Sequence, residues 1–115
     1  MGRVTEDERL DAVFTALGDP TRRDIVARLG AGEATVKELA EPYGMTMQAV
    51  SQHIRVLERS GLISQGRHRQ TRPCRLEPAA LEAALSWIEE SRRTWTERMD
   101  RLETHLDRVQ ERKNQ

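Results

Sequence analysis

The C-terminal part of the chain sets the strongest limit on its fold. Leu81, Leu85, Ile88, Trp95, Met99, Leu102, Leu106 and Val109 step by alternating fours and threes, with Arg92 the one interruption. That spacing is a heptad seam on one long helix. Glu77-Pro78 opens it, since proline suits a first helical turn. About 35 residues at roughly 1.5 Å each reach about 50 Å, more than a small globule covers. The seam therefore needs a partner, and a second copy of the chain is the simplest one.

The rest must pack with few large side chains. Of 115 residues, 37% are hydrophobic and only 3% aromatic, so the core is built from Leu, Val, Ile and Ala. This length fits one domain, taken as residues 1–110 with a polar tail at 111–115. Its core is modest, so burial between subunits would add to it. Cys74 is the single cysteine, which excludes an intrachain disulfide scaffold. No apolar run nears the roughly 18 residues of a membrane span, and no signal-peptide core follows Met1. The expectation is a soluble, cytoplasmic protein without a membrane partner.

Leu10, Val13, Phe14 and Leu17 form one helical stripe ended by Gly18. Asp19 and Pro20 restart a helix as N-cap and first helical residue. Ile25, Val26 and Leu29 are its buried face, and Gly30 with Gly32 stops it. Thr35-Val-Lys-Glu38 is a capping box opening a third helix, with Leu39 and Ala40 inward. Pro42, Tyr43 and Gly44 break it. A fourth helix runs from an N-cap at Thr46 to Ser60, closed by Gly61. Extended stretches at 62–66 and 71–76 then read as a hairpin with a basic tip, Gly66-Arg-His-Arg-Gln70.

The segment from Val36 to Leu57 has the requirements of a helix-turn-helix. Ala40 is the small residue where two helices touch, Gly44 tolerates the turn, and Val50, Ile54 and Leu57 fix the second helix. On the opposite face stand Gln48, Gln52, Arg55 and Arg59, with Thr46, Met47 and Ser51 near the N-terminal end. Glutamine can pair with an adenine edge and arginine with a guanine edge in the major groove. A merely solvated polar face is the competing reading of any one such residue.

Overall net charge is zero, but its distribution is uneven. Between Thr46 and Leu76 lie Arg55, Arg59, Arg67, Arg69, Arg72 and Arg75 against Glu58 alone, a net +5 balanced by −5 elsewhere. One basic stretch on an acidic scaffold fits a protein that meets DNA with one face. The expected base-reading residues are Thr46, Met47, Gln48, Ser51, Gln52 and Arg55. Arg67, His68, Arg69 and Arg72 are expected on phosphates or the adjacent minor groove.

The runs Ala16-Leu-Gly-Asp-Pro-Thr-Arg-Arg23, Glu38-Leu-Ala40, Ala49-Val-Ser-Gln-His53 and Leu57-Glu-Arg-Ser-Gly-Leu62 resemble the ArsR family of winged helix-turn-helix regulators. The resemblance covers roughly residues 6 to 110. It implies a mainly α winged helix-turn-helix with four helices, a two-stranded wing and a long C-terminal dimerisation helix. It also implies a homodimer that binds double-stranded operator DNA and represses transcription, the first and last helices forming the interface. On this chain the interface residues are Leu10, Val13, Phe14, Leu17, Trp95, Met99, Leu102 and Leu106. Many members sense metal through a Cys-x-Cys pair in the third helix, but Thr35 and Lys37 stand there. His105 is the only histidine in the last helix, where a second family site uses several, and one cysteine excludes a two-thiol switch. The chain is more similar to the metal-independent branch, through Glu41-Pro-Tyr-Gly-Met45, Trp87 and Trp95. The expectation is no metal and no cofactor, the effector being left open. A metal- or ligand-responsive repressor of the same fold is the alternative.

Single residues have plainer readings. His53 lies at the edge of the buried face and reads as structural, Cys74 as a small strand residue, and Trp87 and Trp95 as dimer core or a ligand shelf. Arg92 could meet a carboxylate across the dimer. No catalytic triad, paired-carboxylate arrangement or phosphate loop appears, so an enzyme is not expected. A protein-binding adaptor would have a neutral or acidic wing, not a basic one.

Overall fold

Four short polar side chains set where the helices begin. Thr5, Asp19, Thr35 and Thr46 accept hydrogen bonds from the amides of Glu8, Arg22, Glu38 and Ala49, at 3.1, 3.1, 3.2 and 3.0 Å. Each satisfies an amide that the first helical turn leaves without a partner. The computed structural model describes residues 5–66 and 72–114. Helices α1 (Glu6–Leu17), α2 (Pro20–Ala31), α3 (Val36–Ala40) and α4 (Met47–Arg59) follow from these caps. A 3-10 turn, Glu41–Tyr43, separates α3 from α4. Strands β1 (Ile63–Gln65) and β2 (Cys74–Leu76) form the wing, and α5 (Pro78–Lys113) ends the chain. Thr5 is a start signal that periodicity alone does not reveal. Gly30 was expected to help stop α2, but the helix runs past it to Ala31 and is capped at Gly32, whose amide reaches the Leu29 carbonyl.

Gly61 closes α4 for a conformational reason. Its φ is 83°, and its amide bonds the Glu58 carbonyl at 3.0 Å while the Leu62 amide bonds the Leu57 carbonyl at 3.2 Å. This pair of reversed bonds is a Schellman ending, which needs a left-handed residue. Leu62 is thereby bound to the helix end and turned into the core, so β1 starts at Ile63 and not at Leu62.

The wing strands run antiparallel, with Ile63 opposite Leu76, Ser64 opposite Arg75 and Gln65 opposite Cys74. Beyond them the Gly66 amide bonds the Pro73 carbonyl at 2.9 Å. Ala34 forms a bridge to the other edge of β2, exchanging both backbone bonds with Cys74 at 3.2 and 2.7 Å. Both strands are shorter than the extended stretches expected at 62–66 and 71–76; Thr71 itself lies outside the described residues.

The chain divides into two compact units, Met1–Ala84 and Leu85–Gln115. In the first, one apolar core joins Val13 and Ala16 of α1, Ile25, Val26 and Leu29 of α2, Leu39 and Ala40 of α3, and Val50, Ile54 and Leu57 of α4. Leu62, Ile63 and Cys74 close it from the wing side, with Ala84 of α5 buried and Leu81 packed against it. The second unit is the remainder of α5. Leu85, Ile88, Trp95, Met99, Leu102 and Leu106 are exposed along it, at the spacing that the heptad pattern requires.

Candidate nucleic-acid interface

The geometry of the α3–α4 corner starts with Gly44. Its φ of 61° and ψ of 15° lie in the left-handed region, which L side chains adopt only with strain. Ala40 is buried where α3 meets the core, and α4 opens at the Thr46 cap two residues after Gly44. The corner is also pinned from α2. The Arg28 guanidinium donates to the Leu39 and Glu38 carbonyls at 2.9 and 3.0 Å, satisfying the end of α3. It lies 5.5 Å from the centre of the Tyr43 ring, and the Tyr43 hydroxyl donates to Asp24. Partial burial raises the Tyr43 pKa, and the Asp24 contact raises it further.

Helix α4 is then divided sharply. Val50, Ile54 and Leu57 have essentially no exposed surface. Gln48, Gln52, Arg55 and Arg59 are exposed on the other face, as are Thr46 and Met47, while Ser51 is half-buried. Arg72 is exposed before β2. Arg67, His68 and Arg69 lie outside the described residues. Arg75, counted in the basic stretch, contacts Glu77 at 3.7 Å and Glu33 at 4.0 Å. Its charge is therefore partly balanced by acidic neighbours.

Three residues from the Asp-Pro-Thr-Arg and Val-Ser-x-His runs come together. Asp19 caps α2, and the Arg22 amide that it receives is the first cause of its lowered pKa, with the Arg22 charge adding to the effect. The Arg22 guanidinium reaches His53 Nδ1 at 3.4 Å, and Asp19 Oδ2 is 3.9 Å from the same nitrogen. His53 is half-buried beside them, as the structural reading expects. Sequence reasoning missed the roles of Arg22 and Arg28; the motif containing Arg22 was visible, but its partners are distant in the chain.

The apolar stripe of α1 is not all available to a partner. Val13, grouped with the interface residues, is only 3% exposed and belongs to the chain's own core, whereas Phe14 is 37% exposed and Leu10 and Leu17 are half-buried. Adjacent helical residues point about 100° apart, so the core takes the Val13–Ala16 side and leaves Phe14 outside. On α5, Trp95, Met99, Leu102 and Leu106 are all exposed.

The positions at the start of α3 that the resemblance marked for a cysteine pair, Thr35 and Lys37, do not fit a metal. The Thr35 hydroxyl is committed to its capping box with Glu38, and Lys37 is a cation. Burial pushes the Cys74 thiol up to about 11, with Glu58 adding to it, so it is poorly suited to supply a thiolate.

A core shared by four helices, a left-handed corner, a helix after it with an exposed Gln/Arg face and a β-wing define a winged helix-turn-helix module, a class built to meet DNA. Residues 17–65 match the family model described as a helix-turn-helix domain. The transcriptional repressor SdpR of Bacillus subtilis is 30% identical over 79 residues, covering 69% of this chain and 88% of the relative. A solved ArsR family transcriptional regulator superposes with a TM-score of 0.74 at 37% identity, covering 82% of this chain and 97% of that one. A Mycobacterium bovis fragment, described as a homodimeric winged helix-turn-helix DNA-binding domain and a possible ArsR-family regulator, matches at a TM-score of 0.60 and 25% identity, with 76% and 82% covered. The chain belongs to the ArsR family of winged helix-turn-helix transcriptional regulators. It is a DNA-binding regulator and not an enzyme. No helix among the described residues is long and apolar enough to cross a membrane.

Proposed function

We propose that the protein is a cytoplasmic, homodimeric repressor that reads an inverted-repeat operator with α4 in the major groove. The observation that carries this reading is the exposed row Gln48, Gln52 and Arg55 on a helix whose opposite face is fully buried. A helix fixed on one side and lined with amide and guanidinium groups on the other suits base-edge recognition. Thr46, Met47 and Ser51 belong to the same reading end. Arg72 and its sequence neighbours Arg67, His68 and Arg69 meet flanking phosphates or the minor groove. Two-fold assembly uses Leu10, Phe14 and Leu17 of α1 and Trp95, Met99, Leu102 and Leu106 of α5. The homodimeric state of the Mycobacterium bovis fragment and the repressor name of SdpR support the assembly and the direction of control.

The test is selection from a randomised duplex library by the purified protein, followed by titration with the enriched duplex and a scrambled one at several salt concentrations. The enriched sequence should be an inverted repeat whose half-sites lie about one helical turn, or a multiple, apart. Gln48→Ala or Gln52→Ala should cost about 1–3 kcal/mol per half-site on the selected duplex and much less on the scrambled one. Arg72→Ala should weaken both duplexes alike and flatten the log–log salt dependence by about one unit for each phosphate no longer neutralised. No enrichment, or glutamine variants that bind the selected duplex normally, would overturn this reading.

A further inference from the structure

We infer that Arg22 is a positioning residue for the recognition helix, fastening α4 through His53 to the C-terminal end of α1. This rests on the reading of DNA by α4. The Arg22 guanidinium donates from Nε to the Ala16 carbonyl at 2.7 Å and from Nη2 to the Thr15 carbonyl at 3.1 Å. Those carbonyls belong to the last turn of α1, which has no basic residue of its own; the Thr15 carbonyl also accepts the Gly18 amide at 3.1 Å, and the Ala16 carbonyl is of the kind a helix end leaves without a helical partner. The remaining nitrogen, Nη1, meets His53 Nδ1 at 3.4 Å. A guanidinium only donates, so at this contact His53 Nδ1 is the acceptor. Asp19 holds the start of this arrangement by accepting the Arg22 amide at 3.1 Å. One planar group thus joins α1, α2 and α4.

The need for such a clamp follows from what the core can and cannot do. Val50, Ile54 and Leu57 anchor α4 by burial, which is non-directional and tolerates small rotations of the helix. Base-edge recognition tolerates little, since a binding constellation has to be held within roughly 0.5 Å. A hydrogen bond does have direction. His53 sits between the two faces of α4, one residue from the buried Ile54 and one from the exposed Gln52. Fixing its ring therefore fixes the rotation of the reading face.

The experiment compares wild type, His53→Phe, His53→Asn, Arg22→Gln and the Arg22→Gln/His53→Phe double variant on the duplex selected by wild type and on its scramble. His53→Phe keeps the packing and loses the acceptor, so affinity for the selected duplex should fall about tenfold, with the scramble changed less than about twofold. His53→Asn keeps an acceptor near the place of Nδ1 and should stay within about twofold of wild type on both. The double variant should be no worse than the weaker single variant within about twofold, because both remove one clamp. Equal losses for His53→Phe and His53→Asn, a loss shared equally by the scramble, or additive effects in the double variant would overturn the inference while leaving the proposed function standing. If wild type enriches no duplex, both fall together.

Discussion

Cys74 is placed by its neighbours more than by its own chemistry. Its side chain is wholly buried against the core, and its backbone exchanges both of its hydrogen bonds with Ala34 while Gln65 stands opposite it on β1. Burial raises its pKa from the ordinary 9.0 to about 11, so the folded chain holds its proton over a range where the unfolded chain has lost it. The stability linked to this proton is intact below about pH 9 and is lost as pH rises toward about 11. Thermal unfolding across that range should show a falling midpoint, with a shallower fall in Cys74→Ala. The raised Tyr43 group contributes to both proteins, so their difference isolates the thiol. Equal slopes in the two proteins would contradict the assignment. This placement also argues for the plain reading of the residue, since a buried, protonated thiol reacts slowly.

At the scale of elements, the corner between α3 and α4 depends on a single backbone conformation. Nothing lies within 4 Å of the place a Cβ would occupy at Gly44, so the cost of a side chain there is conformational and not steric contact with neighbours. Gly44→Ala should lower stability by about 1–2 kcal/mol, the left-handed penalty for an L residue, and Gly44→Asn should cost less. Urea unfolding measures both, and an unchanged Gly44→Ala midpoint would mean that the turn does not need this φ. Arg28 reinforces the same corner from α2 by capping α3. The Gly44 turn and the α2–α3 contact through Arg28 therefore both set the angle at which α4 is presented.

For the whole molecule, the feature that matters is the apolar seam exposed along α5 among the described residues. Leu102 is 49% and Leu106 55% exposed in the single chain, and their spacing continues the heptad from Leu85. A seam of this kind is stable in water when another helix covers it. The 13.2 kDa chain should therefore run as a dimer at micromolar concentration. Replacing Leu102 and Leu106 with Glu would place unpaired carboxylates in that interface and should dissociate it. Light scattering distinguishes the two states, and a monomeric wild type would refute the dimer.

What the sequence determined by itself is the set of features whose partners are close along the chain. The caps at Asp19, Thr35 and Thr46, the stop at Gly61, the left-handed Gly44 and the two faces of α4 all follow from residues within a few positions of one another. The strand limits were less legible, because the α4 ending draws Leu62 into the core and so takes it out of β1. Only the tertiary structure decided that Val13 faces the core and Phe14 the outside, since a single apolar stripe does not say which surface covers which side. It also decided the pairing of Arg22 with His53, 31 residues apart, the capping of Leu39 by Arg28, 11 residues apart, and the bridge of Ala34 to Cys74. Such contacts form after loop closure has brought distant segments together, and no local periodicity encodes them. The exposed polar face of α4 was written in the sequence; the Arg22 and Arg28 contacts that brace it from α2 were not.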